Sequence, residues 1–189
     1  MRKGQKVIAI GASAGGLQPL RDLLEVLPND FDAPIVVAIH SAPNSFLTEV
    51  LQFAEGSGMK VRKVEDGDTL QNGVVHVVPG AKHAFVQNDR LRLSGVVRDS
   101  GYRPSIDALF MTLASSHGEN AVAVVLSGLM NDGMRGAQVI YDMGGTTIVQ
   151  DPKDAEFAEM PKNVIRADHP RKVLAAEDLG HWLKDLMVD

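Results

Sequence analysis

The sequence contains no cysteine, which excludes a disulfide framework, a thiolate nucleophile and a Cys-ligated zinc site. Covalent chemistry, if the chain performs any, has to use another nucleophile. Basic residues are also short. The 19 Lys and Arg against 24 Asp and Glu give a formal charge of −5 and a pI near 5.6, and the basic side chains stand singly or in pairs. That pattern argues against a nucleic-acid footprint and against a polybasic membrane contact. Long apolar runs are missing too. Arg2, Lys3 and Lys6 precede the run Val7–Ala12, and Ala12-Ser13-Ala14 imitates a small-residue cleavage site. However, that run falls short of the about 7–15 residues of a signal core, and no later stretch approaches the about 18 of a membrane span. A cytoplasmic protein without direct membrane insertion is the expectation. No linker, low-complexity segment or internal repeat is visible, because the 18 glycines and 9 prolines are spread along the chain. The 189 residues are therefore expected to form one domain, residues 1–189, around one sizeable core.

The apolar pattern has the texture of alternating strands and helices. Val7–Ile10 is a β-branched run stopping at Gly11, and Leu17, Leu20, Leu23, Leu24 and Leu27 then recur at helical spacing, with Pro19 tolerated in the first turn. Pro34 opens a second run, Ile35–Ile39, ending at His40, followed by a helical pattern through Phe46, Val50, Leu51 and Phe53. Two successive βα units with runs apolar on both faces predict an α/β fold, a doubly wound and mostly parallel sheet flanked by helices. From Lys60 to Val97 the pieces become short and β-rich, with Asn88-Asp89 suited to a turn, which predicts an antiparallel hairpin region. Pro104 suits the first turn of a helix carrying Ile106, Leu109, Phe110 and Leu113. Ala121–Leu126 and Thr146–Gln150 read as strands, Asp132 through Met143 and Val173–Met187 as helices.

Chemistry concentrates where the strands end. Gly11-Ala12-Ser13-Ala14-Gly15-Gly16 lies between the first strand and the first helix. A dinucleotide turn of the form G-x-G-x-x-G would want a glycine at Ser13 and an acid at the end of the second strand, where His40 stands. The same stretch also matches G-x-S-x-G, which presents a serine hydroxyl at the carboxyl edge of a sheet. A plain Gly-rich turn, a phosphate site and a nucleophile all remain open on this motif alone. His40 ends the neighbouring strand, within plausible reach of Ser13 as a general base. Asp132, in the loop after Ala121–Leu126, either caps the following helix or orients the imidazole. The remaining histidines, His76, His83, His117, His169 and His181, lack metal-ligand spacing and are read as structural or solvated, and Arg103 as a surface contact. No metal or organic cofactor is expected.

With these residues the sequence resembles the CheB-type protein-glutamate methylesterases of bacterial chemotaxis. The likeness runs through Ile10–Gly16, the strand ending in His40, Glu65-Asp66-Gly67, Val78-Pro79-Gly80 with His83, Arg103–Asp107, Ser127-Gly128 through Asp132-Gly133, and Met160-Pro161. The resemblance implies that Ser13 is the nucleophile, His40 the base and Asp132 its orienting partner, with the backbone N–H of Leu129 at the oxyanion site. It also implies hydrolysis of glutamyl γ-methyl esters on the cytoplasmic helices of methylated chemoreceptors, with deamidation of glutamine at the same sites.

Several positions depart from the family pattern. Ala14 stands where Thr is common, Ile39-His40-Ser41-Ala42 replaces Gln-His-Met-Pro, and Gly128-Leu129-Met130 replaces Gly-Met-Gly. Losing that last glycine raises the question of whether the loop keeps its dihedral angles. Only six residues precede Val7, so the receiver domain common in this family is not expected within the chain, and a separate receiver or signalling domain would act as partner. The competing expectations are a catalytically weak or inactive CheB-like binding module and a Rossmann-like nucleotide enzyme.

Overall fold

The computed structural model describes residues 4–40, 59–95, 103–167 and 170–187. The helix expected through Phe46 to Phe53, the end of the strand expected to reach Val97, and His169 lie outside these residues. Seven strands form one parallel sheet: β1 (Val7–Ala12), β2 (Ile35–Ile39), β3 (Lys60–Lys63), β4 (Val74–Val77), β7 (Ala121–Val125), β8 (Thr146–Gln150) and β9 (Lys172–Leu174). Their spatial order is β3-β4-β2-β1-β7-β8-β9. A separate antiparallel hairpin joins β5 (His83–Gln87) and β6 (Arg90–Ser94), with Asn88 at its tip taking φ 53°.

Side chains of β1 alternate between two apolar layers, as a strand buried on both faces requires. Val7 and Ala9 join Val36, Ile106, Phe110, Ile140 and Val164 on one face. Ile8, Ile10 and Ala12 join Leu20, Leu23, Leu24, Leu179 and Leu183 on the other. The first layer is covered by α2 (Ile106–His117), α3 (Met134–Asp142), α4 (Glu159–Ala167) and the hairpin, the second by α1 (Leu17–Glu25) and α5 (Ala176–Leu186). Burial of Leu20, Leu23 and Leu24 on α1 contributes roughly 1.5–3 kcal/mol each, which is what docks this helix against the sheet.

Four expectations change. β3 and β4 belong to the parallel sheet rather than to the antiparallel region; β4 is buried on both faces, as an interior parallel strand needs. Val173 is in edge strand β9 and not in a helix, because the outer edge of β8 takes its hydrogen bonds from this segment: Arg171 N–H donates to Thr147 and Asp151 N–H to Leu174. Pro104 lies before the N-cap Ser105, whose hydroxyl accepts from Ala108 N–H. Finally, α4 is a helix beyond those the sequence pattern predicts, with Met160 and Val164 facing the core four residues apart and Pro161 in the first turn.

The chain runs outward from β1 through β2, then returns to β7 on the other side of β1. The carboxyl ends of β1 and β7 therefore flank the point where strand order reverses, the usual crevice of an open α/β sheet.

Candidate active site

Ser13 follows β1 directly, and its N–H donates to Ser127 carbonyl at 2.9 Å, tying the turn to the end of β7. Gly15 takes φ 67°, where a side chain would be strained and a Cβ would stand 2.8 Å from a Glu156 carboxylate oxygen. The Ser127 hydroxyl, fully buried, donates to Ala14 carbonyl at 2.9 Å and accepts from Phe157 N–H at 3.0 Å. Its own N–H donates to Gln150 Oε1 at 2.8 Å. Gly128 passes so close to the Ser13 turn that a Cβ there would collide with Met160 Sδ and stand 2.8 Å from Ser13 Cβ.

His40 comes from the end of β2, its N–H donating to Ala12 carbonyl. Its Nδ1 lies 3.2 Å from Ser13 Oγ and its Nε2 2.7 Å from Asp132 Oδ2. The imidazole is 12% exposed and the carboxylate not at all. A carboxylate only accepts, so Nε2 carries the proton and Nδ1 is left to accept from the Ser13 hydroxyl. This is the reverse of the ring usage in serine proteases, where Nε2 faces the serine.

Asp132 does not cap the helix that follows it in sequence; Gly133 holds that N-cap position without a side-chain bond. Its carboxylate instead closes the start of α2, accepting from Ile106 N–H at 2.7 Å through Oδ2 and from Asp107 N–H at 2.9 Å through Oδ1. Asp107 returns the arrangement, its Oδ1 accepting from Gly133 N–H at 3.0 Å and Gly136 N–H at 2.8 Å at the start of α3. Arg135 Nε donates to Asp107 Oδ2 at 3.0 Å. Burial pushes the Asp132 carboxyl up, but the hydrogen bonds from His40 and from the Asp107 and Ile106 amides outweigh it and hold the group below its ordinary value. An ionised Asp132 facing a protonated Nε2 is the result.

The loop after β7 carries Met130 in an unusual backbone conformation. This residue takes φ 69°, the left-handed conformation a glycine adopts freely and another residue only at a cost of about 1–2 kcal/mol. Leu129 and Met130 expose their side chains. The Leu129 N–H donates to no other group among the described residues.

The other histidines among the described residues make contacts apart from the Ser13–His40–Asp132 chain. His83 is buried beside the site and accepts from Ser105 N–H through Nδ1 at 3.2 Å. Burial, reinforced by the Arg103 charge and partly offset by Asp132, lowers its pKa. His76 is fully buried in β4 and accepts from Gln71 N–H through Nε2, and its Nδ1 has no hydrogen-bond partner among the described residues. His117 Nε2 donates to Asn88 carbonyl, and His181 lies 3.9 Å from Glu177. Among the described residues no group of three or more His, Asp or Glu side chains is arranged to hold a metal ion, and none of the helices is long and apolar enough to cross a membrane.

Residues 8–183 match the family model for CheB methylesterase. The chain belongs to the CheB methylesterase family. The crystal structure of the Thermotoga maritima CheB methylesterase catalytic domain superposes with a TM-score of 0.91 at 31% identity, covering 96% of this chain and 98% of that one. Similar curated CheB-type proteins include protein-glutamate methylesterase/protein-glutamine glutaminase 2 of Rhodospirillum rubrum, 36% identical over 79% of this chain. The corresponding protein 1 of Xanthomonas campestris pv. campestris is 38% identical over 79% of the chain. In both, the match covers 42% of the relative's own length. The crevice between β1 and β7 thus lies in a CheB-type fold, with Ser13, His40 and Asp132 side by side. What sequence reasoning missed is the support: Asp107 and Ser127 lie within motifs of the resemblance but without an assigned role, Gln150 lies in none, and only their hydrogen bonds reveal what they hold.

Proposed function

We propose that residues 1–189 act as one protein-glutamate methylesterase domain, with glutamyl γ-methyl esters on chemoreceptor helices as substrates. The observation that carries this reading is the chain of hydrogen bonds from Ser13 Oγ through His40 to a buried, ionised Asp132. Ser13 Oγ attacks the γ-carbonyl carbon while His40 Nδ1 takes its proton. The carbonyl electron pair moves onto oxygen, and the tetrahedral oxyanion is held by the Leu129 N–H and by the positive end of α1. Asp132 stabilises the imidazolium that forms. As the intermediate collapses, the C–OCH₃ bond breaks, the imidazolium proton passes to the leaving oxygen, and methanol departs from an acyl-Ser13.

Water then repeats the sequence with His40 as base, restoring the Ser13 hydroxyl and releasing a glutamate carboxylate. With a glutamine side chain the same steps release ammonia. The groups needed are all supplied by this chain. The left-handed backbone at Met130, the conformation a glycine there would adopt freely, supports an active enzyme over a binding module that has lost turnover.

Methanol release from a methylated receptor fragment, together with fluorophosphonate labelling, tests the reading. Ser13→Ala is expected to abolish both. Turnover that survives this change, or labelling that persists at another serine, removes Ser13 from the mechanism.

A further inference from the structure

The loop that presents Leu129 has no apolar anchor of its own. Leu129 is 39% and Met130 55% exposed, so side-chain burial does not fix the backbone there. Yet that backbone is tied repeatedly to α4 and to the residues just before it. Gly128 N–H donates to Phe157 carbonyl at 2.9 Å, and Gly128 carbonyl accepts from Met160 N–H at 3.0 Å. Met130 N–H donates to Glu159 Oε2 at 2.8 Å, and Met130 carbonyl accepts from Asn163 Nδ2 at 2.6 Å.

The planar trans peptide turns these ties into a direction. Carbonyl and N–H of one peptide point opposite ways. The Gly128 carbonyl is drawn toward the Met160 N–H of α4, so the Leu129 N–H of the same peptide points the opposite way, in a loop whose Gly128 also lies against Ser13. The next peptide carries the Met130 N–H and is held by Glu159. The one after, with the Met130 carbonyl, is held by Asn163. Glu159 and Asn163 thus grip both polar groups of the residue that takes a left-handed φ without being glycine. Released from them, Met130 would favour a negative φ and swing the Leu129 peptide with it.

We infer that Glu159 and Asn163 are positioning residues: one turn apart on α4, they clamp Met130 in the left-handed conformation and so aim the Leu129 N–H at the carbonyl oxygen that Ser13 attacks. The clamp rests on the esterase reading above and deepens it. It assigns to α4 the placing of an oxyanion donor that the Leu129-Met130 sequence alone would leave unfixed. Because that donor matters most when negative charge develops on the oxygen, the clamp acts on turnover more than on substrate binding.

The test compares Glu159→Ala, Asn163→Ala, the double variant, Glu159→Gln and Ser13→Ala. The substrate is a receptor helix fragment carrying glutamyl γ-methyl esters, with kcat and KM read from methanol release. Each alanine variant is expected to lower kcat about tenfold and the pair about a hundredfold, short of the about 10²–10³ for loss of an oxyanion donor or comparable to it, with KM within about twofold. Glu159→Gln keeps an oxygen acceptor for Met130 N–H and is expected to restore kcat to within about twofold. Wild-type kcat in the double variant, a loss confined to KM, or a glutamine variant as slow as the alanine one overturns the clamp. If Ser13→Ala is inactive in the same series, the esterase reading survives that result. Turnover by Ser13→Ala would bring down the esterase reading and the clamp together.

Discussion

Asp132→Asn separates the charge of this carboxylate from its shape. Asp132 accepts from His40 Nε2 and Ile106 N–H through one oxygen and from Asp107 N–H and Gly133 N–H through the other. An amide offers a single acceptor. Whichever way it turns, its NH₂ group faces either Ile106 N–H or Asp107 N–H, leaving one buried donor unpaired at a cost of about 1–3 kcal/mol. Gly133 N–H keeps Asp107 Oδ1 as an alternative. Either orientation also removes the negative charge that stabilises the imidazolium, and the one that turns NH₂ toward His40 drives the ring proton onto Nδ1, where it can no longer accept from Ser13. In serine proteases the equivalent change lowers turnover about 10⁴-fold. Here a loss of about 10³–10⁴ in kcat is expected, or about 4–5.5 kcal/mol of transition-state stabilisation. Methanol release measures it, and urea unfolding of both proteins measures the stability term. The acid limb adds an independent check. Asp132 has its folded pKa held below the unfolded value, so its contribution is present above about pH 4 and is lost as pH falls through the lower folded value. The stability gap between wild type and variant should therefore narrow below about pH 4. Turnover within tenfold of wild type, or a gap that stays constant in acid, would refute the reasoning.

Other expectations follow from the same hydrogen bonds. Gly128→Ala places a methyl group against Met160 Sδ and Ser13 Cβ; a destabilisation of about 1–3 kcal/mol and slower fluorophosphonate labelling of Ser13 are expected, and an unchanged labelling rate would contradict the close approach. Asp107→Asn should cost about 1–3 kcal/mol in urea unfolding, because the amide cannot serve Gly133, Gly136 and Arg135 together. Arg135→Gln, at a side chain 53% exposed, should cost no more than about 1 kcal/mol and less in high salt. His76 has its pKa lowered chiefly by burial, so below about pH 6.5 the unfolded chain takes a proton that the folded one refuses and stability declines. His76→Leu should flatten this part of the melting-temperature profile measured between pH 5 and pH 7.5; an equal decline in both proteins would place the effect elsewhere.

Much of the parallel sheet is legible in local pattern. Ile35–Ile39 and Thr146–Gln150 are strands at the boundaries their apolar runs suggest, and Leu20, Leu23 and Leu24 mark the buried face of α1 by spacing alone. Errors fall where partners outweigh pattern. Val173 continues the apolar spacing of α5, yet it lies in a strand because β8 has an edge to pair. Val74–Val77 reads as part of a β-rich hairpin region, yet it sits between β2 and β3 because both of its faces find apolar layers. Asp132 is visible as a candidate from its place after a strand. Its bonds to Ile106 and Asp107 are not, since no local rule links residues 25 or more positions apart.

The sequence by itself determined which candidates are on offer: a serine in a G-x-S-x-G turn of a chain without cysteine, with Ser13 and His40 at the carboxyl ends of strands and Asp132 in the loop after another. Residue type and local periodicity are properties of short segments, so short segments reveal them. Tertiary structure decided how those residues meet. The return of the chain to the far side of β1 puts Asp132 opposite His40, the carboxylate serves a different helix from the one it precedes, and α4 holds Met130 in a conformation its own side chain disfavours. Each of these depends on hydrogen bonds between segments far apart in the chain, which form only once the two apolar layers have brought those segments together.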